Sequence, residues 1–180
     1  MDNQSLQAVR DVMKAAHFAA DRHREQRRKG ATAEPYVNHL LEVAELVANA
    51  LSGPDPNLVM AALLHDTVED VGVTKEELIQ TFSEDVANLV MEVTDDKSLP
   101  KKERKRLQVA NAPHKSVRAQ VIKLADKISN LRAILASPPT DWSVDRQREY
   151  FEWAKQVVDA LSAPSPSLKA EFERVYAKFV

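Results

Sequence analysis

Apolar residues recur along this chain at three- and four-residue intervals and never alternate with period two over a strand's length, so the pattern predicts helices throughout. A first helix is predicted over about 5–29, with Leu6, Val9, Val12, Met13 and Ala16 on one stripe and Gly30 as its stop. A second covers about 36–51 and is halted by Ser52-Gly53-Pro54. Asp55-Pro56 reads as an N-cap followed by a first-turn proline, opening a third helix that continues through Asp70. Thr74 and Glu77 make a capping box for a short helix. Further helices are predicted over about 83–93, after Pro100, over about 116–135 and 143–161, and from Ser165-Pro166 onward. The expected fold is all-α, a bundle of about eight to ten helices without significant sheet.

Composition narrows the class. A chain of 180 residues is large enough to bury a core unaided, and no linker divides it, so one domain over 1–180 is expected. The nine prolines fall between the apolar segments, where prolines start or stop helices. With no cysteine, disulfides, thiolate metal sites and thiol nucleophiles are excluded. A net charge of −2 argues against a general nucleic-acid binder. No apolar run approaches the roughly 20 residues that cross a bilayer, and the N-terminal segment lacks a secretory profile. The expectation is a cytoplasmic protein with neither nucleic-acid nor membrane partners.

The segment AALLHDTVEDV (61–71) carries the most chemistry. At about 100° per residue, His65, Asp66, Glu69 and Asp70 fall within roughly 140° of arc, opposite Met60, Leu64, Val68 and Val71. Three carboxylates and an imidazole on one face repel or compete unless a cation or functional pocket accounts for them. A solvated acidic face is the plain alternative, but the preceding AALL directs His65 and Asp66 into the bundle. His39 projects with Tyr36, Val43, Leu46 and Ala50, where a lone histidine is more often a hydrogen-bonded core residue than a ligand. Asp126 and Asn130 sit one turn apart, opposite Leu124, Ile128, Leu131 and Leu135, and an aspartate in such a helix is rarely buried unless paired or coordinated. Together these positions offer two imidazoles and two carboxylates from three helices, a nitrogen–oxygen set suited to manganese, iron or zinc.

His39, then His65-Asp66, then Asp126 resembles the H…HD…D signature of the HD phosphohydrolase superfamily. HREQRRKG (23–30), PYVNHLLEVA (35–44), ALLHDTVEDV (62–71), EVTDDKSLPKKERKRLQ (92–108), VIKLADKISNLR (121–132) and YFEWAKQVV (150–158) are similar to the small stand-alone alarmone hydrolases, the metazoan SpoT homologues. The resemblance runs from about residue 17 to 160. Larger bacterial RelA/SpoT proteins carry a synthetase domain after this module, and none is expected here. One departure is Leu40, where the family commonly has proline; it extends the apolar face and leaves His39 untouched.

The resemblance implies an HD-domain bundle that hydrolyses guanosine tetra- or pentaphosphate, (p)ppGpp, at its 3′-pyrophosphate, releasing GDP or GTP and pyrophosphate, with Mn²⁺ held by His39, His65, Asp66 and Asp126. It implies Glu69 and Asp70 as the catalytic acidic pair, and Arg28, Lys29 and Asn130 as substrate contacts. Lys97, Arg146 and Tyr150 are further pocket residues. Bound divalent metal acidifies water and neutralises phosphate charge, and a nearby acid–base group manages protons. Arg28 and Lys29 also have a plainer reading, as part of a basic helix end answering the helix dipole. KKERKR (101–106) is interrupted by Glu103 and lacks interleaved aromatics, so it reads as a solvated face or pocket rim rather than a nucleic-acid site. His17, His23 and His114 show no partner pattern.

Two rival functions stay open at the level of sequence. The same site could act mainly on another nucleotide such as NADPH, which also presents a purine nucleotide with a ribose phosphate. Alternatively, the chain could bind the alarmone without turnover; the Glu69-Asp70 pair argues against that, since a sensor needs only the binding groups.

Overall fold

The computed structural model describes residues 2–179. Ten α-helices form among the described residues: α1 Asn3–Arg22, α2 Val37–Ala50, α3 Pro56–Leu64, α4 Thr67–Val71, α5 Lys75–Thr81, α6 Glu84–Val93, α7 Lys101–Asn111, α8 Val117–Ala136, α9 Val144–Asp159 and α10 Pro166–Tyr176. A single 3₁₀ turn, Ala112–His114, joins α7 to α8. No strand forms among these residues; two isolated β-bridges, Arg27 with Pro35 and Gly30 with Pro139, pin the loop before α2. The all-α reading therefore holds.

Helix starts follow the capping chemistry of the sequence. Asp55, Thr74, Ser83, Ser116 and Ser143 each accept a hydrogen bond from the backbone amide three residues on. The box at Thr74 is only half closed: Glu77 pairs with Arg22 of α1 and does not reach back to Thr74. Here a tertiary ion pair outcompetes a local one.

The core is organised around α3 and α8. In α3, Leu58 and the run Met60–Leu64 are buried, packed between α1, α2 and α6. Burying such side chains contributes on the order of 1.5–3 kcal/mol each, which fixes the helix in place. α8 packs against α2, α6, α9 and α10 and is buried on nearly every side, including at Gln120, Lys123, Asp126, Lys127 and Ser129. Those buried polar groups all require partners. Leu40 is fully buried in α2, as its extension of the apolar face requires.

Two helices differ from the pattern. The first ends at Arg22, not near Lys29, and Gly30 is not its stop. His23 is buried and bonds Gln26, and the chain then doubles back, with the Arg28 amide donating to the Glu34 carbonyl. The predicted third helix is broken at His65-Asp66 into α3 and α4. His65 Nδ1 bonds the Ala62 carbonyl at 2.8 Å and Thr67 Oγ1 donates to the Leu64 carbonyl at 2.6 Å, so side chains claim acceptors that a continuous helix would use. Gly72, at φ 73°, closes α4 in the left-handed conformation glycine tolerates best.

Candidate functional site

The histidines and aspartates singled out in the sequence meet where α2, the α3–α4 break and α8 converge. Donor atoms of His39, His65 and Asp126, all buried, lie within 4.8 Å of one another. Asp66 joins them: its Oδ2 is 3.1 Å from His65 Nε2 and 3.6 Å from His39 Nε2. Asp126 Oδ1 lies 3.4 Å from His39 Nε2 and 4.0 Å from His65 Nε2. The α3–α4 break is what allows this, because it turns His65 and Asp66 together toward α8.

The donor atoms converge on one point. A carbonyl only accepts, so His65 bonds Ala62 through Nδ1–H, and its neutral form presents the Nε2 lone pair to the cluster. That Nε2 is buried and makes no hydrogen bond. Donors on one divalent ion stand roughly 3–4 Å apart, which matches the spacings above. Buried imidazole nitrogens and carboxylate oxygens facing one point fit a divalent metal bound by mixed nitrogen and oxygen groups.

Charge is concentrated here. Burial opposes protonation of His65, but Asp66 and Asp126 outweigh it and raise its pKa to about 9. Burial works against the Asp126 carboxylate too, yet Lys127, His39 and His65 hold its pKa well below the usual range. Lys127 donates to Asp126 Oδ2 at 2.8 Å and Asn130 to Oδ1 at 2.5 Å. Tyr36 donates its hydroxyl to Asp66 Oδ2 at 2.6 Å; burial and the Asp66 charge push the phenol's pKa upward.

Beside this cluster lies the acidic pair. Glu69 accepts from Arg104 at 3.4 Å and from the Asp95 amide at 3.3 Å. Burial first, then the Asp95 and Asp66 charges, raise its pKa. Asp70 is held between Gln26 Nε2 at 2.8 Å and Lys97 Nζ at 2.6 Å.

A cleft of about 390 Å³ opens next to the pair. It is lined by Arg28, Lys29, Asn130 and Tyr150, by Lys101 from the run read as a solvated face or pocket rim, and by Trp142, which sequence reasoning missed. Arg28 donates to Asn130 Oδ1 at 3.1 Å, so the cleft is connected through Asn130 to Asp126. Burial and the neighbouring Lys29, Arg146 and Arg104 charges lower the Lys101 pKa, a mark of a wall built from cations. Burial pushes Tyr150 up to about 12. Lys97 and Arg146 do not line the cleft: Lys97 is committed to Asp70, and Arg146 lies over the Trp142 ring, 4.7 Å from its centre, beside Asp141.

Other missed residues support the site from beneath. His23 has 1 % exposure, stacks on Tyr36 at 5.3 Å and bonds Gln26. The only sequence signal was the three-residue spacing of His23 and Gln26 ahead of the basic run. Nothing in the sequence pairs either with Asp70.

The sequence matches the HD domain family over residues 15–152. It is 47% identical over 165 residues to the guanosine-3′,5′-bis(diphosphate) 3′-pyrophosphohydrolase MESH1 of Xenopus tropicalis, covering 92% of each chain. The human protein of the same name is also 47% identical, again with 92% of both chains covered. A solved structure of a metazoan orthologue of SpoT, which hydrolyses ppGpp and plays a role in starvation responses, superimposes with a TM-score of 0.89 at 45% identity, covering 93% of this chain and 94% of that one. The chain belongs to the HD domain family and is an HD-domain hydrolase.

Proposed function

We propose that this HD-domain hydrolase is a manganese-dependent guanosine-3′,5′-bis(diphosphate) 3′-pyrophosphohydrolase that converts (p)ppGpp to GDP or GTP and pyrophosphate, working as a single domain in the cytoplasm. The observation that carries the reading is the junction between the buried His39–His65–Asp66–Asp126 cluster and a cation-lined cleft, with Asp70 in the cleft wall. The relatives named above act on the same substrate class, which supports it.

His39, His65, Asp66 and Asp126 would hold one divalent metal, manganese before iron or zinc; when bound it supplies phosphate charge neutralisation and acidified water. Arg28, Lys29 and Lys101 bind the nucleotide's phosphates, and planar Arg28 and Tyr150 suit the purine and ribose side. Asn130, already oriented by Asp126, contacts the ribose. The phosphorus–O3′ bond breaks as a water oxygen bonds that phosphorus, O3′ takes a proton and pyrophosphate leaves. Glu69 takes the water's proton, a role that suits a carboxyl with a raised pKa. Asp70, fixed by Gln26 and Lys97, keeps that carboxyl in a defined electrostatic setting.

The test is to incubate purified, manganese-loaded protein with ppGpp and, separately, with NADPH. Pyrophosphate release from ppGpp is expected. Phosphate release from NADPH alone would favour the other nucleotide, and inactivity on both with metal bound would make the chain a silent binder.

A further inference from the structure

His39 is aimed by a chain of polar contacts that runs to the C-terminal helix. Its Nδ1 lies 2.8 Å from Ser129 Oγ, and Ser129 is fully buried on α8. Ser129 Oγ in turn lies 2.6 Å from Glu42 Oε2, one turn along α2 from His39. Glu42 Oε1 accepts from Arg132 at 2.8 Å, and Arg132 also pairs with Glu171 of α10. The Glu42 carboxylate can only accept, so the single hydroxyl proton of Ser129 is spent on it. Ser129 Oγ therefore receives from His39, and that bond requires the proton on Nδ1. The Nε2 lone pair then faces Asp66 and Asp126.

We propose that Ser129 and Glu42, anchored by Arg132, are positioning residues that set the tautomer and ring orientation of His39 and thereby tune the protein's affinity for its divalent metal. The inference rests on the reading of His39 as a ligand. The chain makes the α2–α8 interface part of the metal site, although neither Ser129 nor Glu42 reaches the metal cluster. Partners of this kind on ligating histidines typically alter metal affinity by about 10- to 100-fold. A serine that merely fills space in α8 would give no such effect when replaced by alanine, because the helix and its packing survive that change.

The experiment titrates metal-stripped protein with Mn²⁺ by calorimetry and, separately, reads the imidazole nitrogens of His39 by ¹⁵N NMR in the metal-free state. Ser129→Ala is expected to weaken Mn²⁺ binding about 10- to 100-fold and to shift His39 toward the Nε2–H tautomer. Turnover at saturating metal should fall far less than the affinity does, since the ligands themselves remain. Glu42→Leu, on the half-buried side of α2, should weaken binding in the same direction and keeps the test open if Ser129→Ala folds poorly. Wild-type Mn²⁺ affinity and an unchanged His39 tautomer in both variants overturn the proposal. His39→Ala separates the two levels. Loss of binding there with none in the other variants rejects the relay alone; undiminished binding in His39→Ala rejects the ligand assignment, and the relay with it.

Discussion

Gly30 runs so close to Ser137 that a Cβ at position 30 would lie 2.3 Å from the Ser137 carbonyl oxygen and 2.6 Å from its Oγ. The Gly30–Pro139 bridge and the bond from the Thr32 amide to Ser137 Oγ staple the same two segments. This contact seats the loop bearing Arg28 and Lys29 against the end of α8, next to Asn130.

Gly30→Ala must therefore displace that loop. The expected outcome is a loss of about 1–3 kcal/mol of stability from overpacking. KM should rise about ten-fold while manganese affinity is unchanged, because the loop carries cleft cations but no donor of the metal cluster. Steady-state kinetics together with a metal titration check this.

Glu69→Gln should separate stability from activity. Burial and neighbouring carboxylates raise the Glu69 pKa, so ionising it near neutral pH destabilises the fold. The amide removes that cost: Tm should rise above pH 7, and the gain should vanish as pH falls below the ordinary carboxylate range. Turnover should drop by about 10²–10⁴-fold. Thermal melts across pH and ppGpp turnover measure the two effects.

The metal-free protein should lose stability as the solution becomes alkaline. His65 rises from 6.5 to about 9 in the fold, so its contribution is complete below pH 6.5 and disappears as pH rises through about 9. Asp66 and Asp126 are depressed, so theirs is complete above pH 3.8 and lost only in stronger acid. Metal-free Tm should therefore be highest between about pH 4 and 6.5 and fall toward pH 9.5. Manganese takes neutral imidazole, so the gap between loaded and metal-free Tm should widen over the same rise.

Lys127→Met tests the buried partner of Asp126. Lys127 is 3% exposed, donates to Asp126 at 2.8 Å and lies 4.6 Å from the centre of the Trp153 ring. Removing one member of a buried pair leaves an uncompensated charge, and urea unfolding of the metal-free variant should show a loss of about 3–5 kcal/mol. Saturating manganese should recover much of it, because a cation then compensates Asp126.

How far the site was legible in the sequence can be read from individual residues. His39 stood out as a polar group on an apolar stripe, whereas His65, Asp66 and Asp126 stood out as polar groups opposite the stripe of helices whose apolar surroundings place them inside the bundle. Arg28, Lys29, Asn130 and Tyr150 required motif resemblance, and the cleft contains all four. Lys97 and Arg146 were assigned to the same cleft and lie outside its lining, because Asp70 and Trp142 claim them first. Ser129 and Glu42 carried no signal and Gln26 only its spacing from His23, since their partners in the site lie 90, 87 and 44 positions away.

Local physics thus determined the helices, most of their caps and the set of candidate metal-ligating side chains, because these depend on spacings of three or four residues and on polar groups in otherwise apolar helices. Tertiary structure decided the rest. It broke the predicted third helix at His65-Asp66, where side chains claimed backbone acceptors, and that break brings both residues to Asp126. It ended the first helix at Arg22, so that Arg28 and Lys29 sit on a loop stapled to α8 rather than on a helix end. Which lone pair His39 presents was likewise decided across the α2–α8 interface, by a serine and a carboxylate that nothing in the linear pattern connects to it.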